Sequence, residues 1–208
     1  MSVIETGDTI TVTLTGTQGL PGPQGLTGPQ GPIGPQGYPG GSALWTAVGN
    51  RVVAASAAET SLLASSAIGS SSLPVGDIEA GSTYAVRASG FLSTGAGQSA
   101  TVRIKLGAST IVASTVAMVN NMSQVYFDLY FEWCFRTPTD TSFPVSGQGR
   151  TFIVTTSGAQ PASRSLLMLS PVNVAVTADL PVALTYQWSS ADSNNSLTVT
   201  NAFLQRIR

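Results

Sequence analysis

Ten carboxylates, one cysteine and no histidine are what this chain of 208 residues offers to acid, base and nucleophilic chemistry. Without histidine the usual general base, the usual triads and most zinc sites are gone. The acids are Glu5, Asp8, Glu59, Asp77, Glu79, Asp128, Glu132, Asp140, Asp179 and Asp192. Glycoside hydrolysis needs two carboxylates flanking a scissile bond. Asp128 and Glu132 come nearest, on one face of a strand pattern, but roughly 13 Å apart along the backbone, too far for a retaining pair by themselves. They read instead as acids on a solvent or inter-subunit face, opposite Arg103, Lys105 or Arg136. Asp77-x-Glu79 and Asp192-x-Asn194 have the spacing of oxygen ligands for calcium, yet neither completes a loop pattern, and turn formation explains both. Cys134 is alone, so no intrachain disulfide forms. It reads as a small strand residue, with a free reactive thiol as the other reading. No phosphate-binding glycine loop occurs. The expectation is a protein that is not an enzyme and holds no cofactor and no metal.

Aromatic residues offer a second kind of chemistry, the stacking of sugar rings. Tyr126 and Tyr130 flank Asp128 on the same strand face, whereas Trp133 belongs to the opposite, apolar face. Two readings stand for the tyrosine face, a subunit interface and a glycan site.

Those residues lie on a long strand. Val125, Phe127, Leu129, Phe131, Trp133 and Phe135 alternate with Tyr126, Asp128, Tyr130, Glu132, Cys134 and Arg136. Period-2 alternation over such a length predicts a strand with one face in a core. Further strands are predicted at 84–88, 101–106, 109–115, 151–156, 172–177, 182–188 and 197–207. Segment 54–67 reads as a loop with a short strand near 60–63. Gly, Pro, Asn, Asp and Ser punctuate the gaps, as in Gly95-Ala96-Gly97, Pro138-Thr139-Asp140, Ser146-Gly147-Gln148-Gly149 and Asp192-Ser193-Asn194-Asn195, which are expected to be turns. The sum is an all-β, two-sheet antiparallel sandwich or jelly roll over 51–208.

Ahead of that domain stands a different sequence. Gly16, Gly19, Gly22, Gly25, Gly28, Gly31, Gly34, Gly37 and Gly40 keep a strict three-residue period. Three polyproline II chains wind about an axis where only glycine fits, so this register predicts a collagen-like triple helix over 16–40 and a homotrimer. At about 3 Å per residue the rod spans on the order of 75 Å. Six of the twelve prolines lie within it and lower the entropy lost on winding. It carries no charge, so ion pairs do not set its stagger. So short a rod needs a neighbouring trimeric domain to hold its chains together. Residues 1–15 precede it, with Ile10, Val12 and Leu14 alternating with threonines, the pattern of a single strand with one apolar face. A lone strand needs a partner, which makes this segment an anchor on another protein or a clasp among the three chains. Residues 41–50 read as a junction, with Trp45 packing at the base of the next domain near the three-fold axis.

Composition narrows the partners. Charged residues are 9% and the net charge is −1, so there is no electrostatic basis for binding nucleic acid or an anionic membrane. No apolar run reaches the roughly 18 residues of a membrane span. The first ten residues lack the apolar core of a secretory leader, so synthesis in a cytoplasm is expected and the two glycosylation sequons, at Asn121 and Asn194, read as coincidence.

A collagen rod joined to a C-terminal β head resembles the trimeric fibres and spikes of bacteriophage virions. Animal complement-type and tumour-necrosis-factor-like proteins share the general plan. The second half is similar to a jelly-roll domain of phage structural proteins. That likeness rests on ETSLL at 59–63, on YAVRASG at 84–90, and on Gln187-Trp188 followed by NSLTVTN at 195–201, which the resemblance implies is a closing hairpin. It implies no catalytic residues. It implies a virion fibre, on tail or head, bound to other virion proteins through 1–15 and presenting its head for attachment to a host-surface glycan or protein. A capsid decoration protein at three-fold positions and a secreted collagen-like binding protein are the alternatives. The absent leader and the absent disulfides weigh against the second.

Overall fold

A computed structural model describes residues 2–7, 9–13, 16, 18–22, 43–63, 66–118, 121–153, 162–167 and 170–208. They belong to two units, Met1–Gly37 and Tyr38–Arg208.

In the first unit β1 (Ser2–Thr6) and β2 (Thr9–Thr13) pair antiparallel, with Thr6 opposite Thr9 and Ser2 opposite Thr13. The N-terminal strand is therefore not a lone one. Ile10 lies opposite Glu5 and Val12 opposite Val3, while Leu14 falls outside the described residues. The turn is the reason. Only residues 7 and 8 separate the paired threonines, and Gly7 takes φ +67°, the left-handed conformation that a two-residue hairpin needs. Of the collagen register, Gly16, Gly19 and Gly22 are described, and Gly25, Gly28, Gly31, Gly34, Gly37 and Gly40 lie outside the described residues.

The second unit is all-β among its described residues, apart from one 3-10 turn at Val75–Asp77. Its strands are β3 (Ala43–Ala47), β4 (Arg51–Ala54), β5 (Thr60–Ser61), β6 (Ala67–Gly69), β7 (Ser72–Leu73), β8 (Thr83–Thr94), β9 (Gln98–Leu106), β10 (Ser109–Met118), β11 (Met122–Phe135), β12 (Ser142–Ile153), β13 (Ala162–Leu167), β14 (Val172–Ala175), β15 (Leu180–Trp188) and β16 (Ser196–Arg206). All pair antiparallel in two sheets. The large sheet runs β13-β12-β11-β8-β16-β3-β6, with β14 on β12 and β4 on β16. The small sheet runs β10-β9-β15-β5, with β7 on β15.

Alternation explains why they stack. Val125, Phe127, Leu129, Phe131, Trp133 and Phe135 of β11 are each at most 2% exposed, as the period-2 pattern predicts. Val102, Ile104 and Leu106 of β9 and Leu184, Tyr186 and Trp188 of β15 join them in one core cluster. Trp45 is buried in that cluster too, because 43–47 is not a bare junction but a strand of the large sheet.

Gly95-Ala96-Gly97 and the segment around 192–195 hold turns, as expected, but neither closes a hairpin, since β8 and β16 lie in the large sheet and β9 and β15 in the small one. Each segment carries the chain across the sandwich. Ser146-Gly147-Gln148-Gly149 is not a turn at all but the middle of β12. Gly147 lies opposite Trp133, and Gly149 opposite Phe131. A Cβ at Gly149 would fall 2.2 Å from the Tyr130 carbonyl oxygen and 2.7 Å from the Phe131 ring. Glycine in a strand marks such a close approach, here of an aromatic ring to bare backbone.

Candidate functional site

Strands buried on one face present the other. On the large sheet, register aligns the outward side chains in rows across the strands. One row joins Val52, Thr198, Phe91 and Tyr126 across β4, β16, β8 and β11. A second joins Ile68, Thr46, Phe203, Arg87, Tyr130 and Arg150 across six strands from β6 to β12. Between them run Asn201, Ser89, Asp128 and Phe152. A bulge at Thr200 in β16 keeps the parity, so that Thr198 and Phe203 both point outward.

The face is apolar at its margins and polar at its centre. Val52 is 55% exposed, Ile68 72%, Phe91 46% and Tyr126 37%. The Phe91 and Tyr126 rings meet edge to face, with centroids 6.2 Å apart. At the centre the Arg87 Nε donates to Asp128 Oδ1 at 2.7 Å, which holds the Arg87 pKa above its ordinary value. The Tyr130 hydroxyl donates to Glu132 Oε2 at 2.9 Å, and Gln148 Nε2 donates to Glu132 Oε1 at 2.7 Å. Burial, and then the Glu132 carboxylate, push the Tyr130 pKa up. Above this centre lies a groove of about 490 Å³ lined by Arg87, Asp128, Tyr130, Glu132, Arg150 and Phe203.

The structure brings the two sequence-selected tyrosines onto one face with Asp128 and Glu132. It changes the partners of those acids. Arg87 takes Asp128, while Arg103 and Lys105 lie on the small sheet with Glu59. Both carboxylates in the groove accept hydrogen bonds, Asp128 from Arg87, and Glu132 from Tyr130 and Gln148. Cys134 is half-buried on the same face beyond Glu132. The Asp192 carboxylate accepts the backbone N–H of Asn194 at 2.8 Å, and the Asp77 N–H donates to the Pro74 carbonyl and the Ser82 N–H to the Glu79 carbonyl, each at 3.0 Å, so both segments form the turns expected of them. Among the described residues no three His, Cys, Asp or Glu side chains cluster as metal ligands. No described helix is long and apolar enough to cross a membrane.

Sequence reasoning missed Phe91, Arg87, Phe203, Arg150, Val52 and Ile68. The signal for the first two was present. Tyr84, Val86, Ala88 and Leu92 face inward on β8, so odd positions face out, but a strand ended at 88 loses Phe91.

The outer face of the small sheet is different in kind. Lys105 Nζ meets Glu59 Oε1 at 2.5 Å, Thr185 Oγ1 donates to the same oxygen at 2.7 Å, and Arg103 Nη1 donates to Gln187 Oε1 at 2.8 Å. Those contacts, Lys105 first and Thr185 second, hold the Glu59 carboxyl below the usual carboxylate range. Thr101 and Thr115 hydroxyls lie 2.9 Å apart beside them. No protein-family model matches the chain, and no curated protein or solved structure matches it either.

Proposed function

We propose that the chain is the subunit of a homotrimeric virion fibre: an N-terminal attachment segment, a collagen-like stalk and a jelly-roll head offered to a host surface. The single observation that carries this reading is the unbroken glycine period of 16–40. Within one chain that period has no steric cause where it is described. Gly16, Gly19 and Gly22 have no described atom within 4 Å of a Cβ position, and none of the three takes a positive φ. A requirement for glycine that a single chain does not impose is met by two further chains at a triple-helix axis.

The head fits that role. Support for a jelly-roll head comes from the strand orders β3-β16-β8-β11 and β5-β15-β9-β10, in which the chain passes repeatedly from one sheet to the other. Three copies on one stalk multiply weak contacts through avidity. Strands β1 and β2 pair antiparallel, and their outer edges suit addition to a sheet of another virion protein.

Immunogold electron microscopy with antibody to residues 43–208 on particles from the source tests the assignment. Gold at the tail supports an attachment fibre. Gold spread over the head converts the reading to a head fibre or a capsid decoration protein. Particles without gold overturn the virion reading in favour of a secreted collagen-like binding protein.

A further inference from the structure

We infer that the outer face of the large sheet, between the Val52–Tyr126 row and the Ile68–Arg150 row, is the surface on which three copies of this chain meet. The inference rests on the trimeric reading and adds to it which side of the head is turned to the axis.

Three observations carry it. The first is asymmetry. Four strand-borne large apolar side chains stand exposed among the described residues of the head, Val52, Ile68, Phe91 and Tyr126, and all four are on the large sheet. The outward side of the small sheet instead has its charges paired and its hydroxyls bonded to one another. Water is a good neighbour for that side and a poor one for the other.

The second is extent. The longer row crosses six strands, about 24 Å, and the two rows stand about 13 Å apart along the strands. The face bounded by the two rows covers roughly 300 Å², with its exposed apolar side chains at the margins and its polar groups at the centre. Aromatic side chains and arginines, both enriched at protein interfaces, stand on this face, and its two acids are already hydrogen-bonded to Arg87, Tyr130 and Gln148. Arg150, at the end of the longer row, has no acidic partner among the described residues.

The third observation names the occupant. Only residues 41 and 42 separate Gly40, last of the collagen register, from Ala43, where β3 begins. Strand β3 belongs to the large sheet, and its Thr46 is a member of the longer row. A triple helix ending at Gly40 delivers three β3 strands to one place, each an element of the same outward sheet face. Two further copies of the chain are then at high effective concentration opposite it. A glycan reaches that face only if the copies leave it open.

Hydroxyl-radical footprinting of the full-length chain, together with its mass by light scattering, tests the inference. Phe127 and Phe131 are each 1% exposed in the folded chain itself and serve as internal standards. The expected result is a trimer in which Phe91 and Tyr126 are modified as slowly as those standards. A trimer in which they react at rates matching their 46% and 37% exposure overturns this inference and leaves the trimeric reading intact. A monomer overturns both. Phe91→Lys replaces a residue that a single chain leaves exposed, so the head still folds. Its melting temperature as a trimer is expected to fall, whereas Ala117→Lys, on the outward side of the small sheet, leaves it unchanged. Equal melting of the two variants also overturns the inference.

Discussion

Arg87 and Asp128 face each other across neighbouring strands β8 and β11, joined by a 2.7 Å hydrogen bond on a sheet surface that no described layer covers. Their exposures differ, 38% for the Arg87 side chain and 9% for Asp128. The two deletions should therefore be unequal. Asp128→Ala leaves a guanidinium that can turn to water, and is expected to cost about 1 kcal/mol. Arg87→Ala strands a largely buried carboxylate without its donor, and is expected to cost about 2–3 kcal/mol. Urea unfolding of the two variants checks the order. Equal losses would mean that Asp128 finds another donor.

How much of this was legible in the sequence depends on whether a pattern is local. The six inward residues of β11 could be read because alternation is a property of one strand. The two tyrosines were legible as a face for the same reason. Arg87 against Asp128, and Phe91 against Tyr126, depend on pairing partners 41 and 35 residues away, which periodicity does not reveal. Gly147 and Gly149 misled in the other direction. Glycine signals a turn when its backbone conformation is the issue, and a strand interior when a neighbour needs the space. Only the Phe131 ring tells the two apart. In the N-terminal segment, Gly7-Asp8 between threonines was a hairpin signal, but the alternation that follows it drew attention to one strand only.

Phe131 is 1% exposed, lies between Trp133 and the backbone of β12, and stacks on Trp133 at 6.2 Å. Phe131→Ala is expected to cost about 3–5 kcal/mol, the usual penalty for a large cavity in a core. Gly149→Ala should fail for the complementary reason, since its methyl group would meet the Tyr130 carbonyl and the same ring. The double variant tests the coupling: once the ring is gone, part of the cost of the alanine should vanish. Chemical denaturation of the four species in a cycle measures this. A Phe131→Ala cost below about 1 kcal/mol would contradict the strand register.

Glu59 gives the head a pH dependence of known sign. Its carboxyl is held below the ordinary value of 4.5 by Lys105, Thr185 and Arg103. A depressed folded-state pKa contributes stability above the unfolded value, and that contribution is lost as pH falls from about there through the folded value. Unfolding free energy measured from pH 7 down to pH 3 should therefore decline below about pH 4.5. Glu59→Gln should be less stable at neutral pH and decline less over the same range. Parallel curves for wild type and variant would remove Glu59 as a source of the dependence.

The glycine period makes a prediction independent of the head. Gly28 lies in the middle of the register, with Gly16 and Gly40 each four triplets away. A triple helix has no space at its axis for a side chain, and three valines would arrive there together. Gly28→Val should lower the melting of the polyproline II signal in circular dichroism while the β signal of 43–208 melts as before. A Pro29→Ala control keeps the axis intact. It should weaken the rod only slightly, by restoring freedom to the unfolded chain. If Gly28→Val melts as the wild type does, the segment is a single-chain linker and the three-fold argument for the head loses its source.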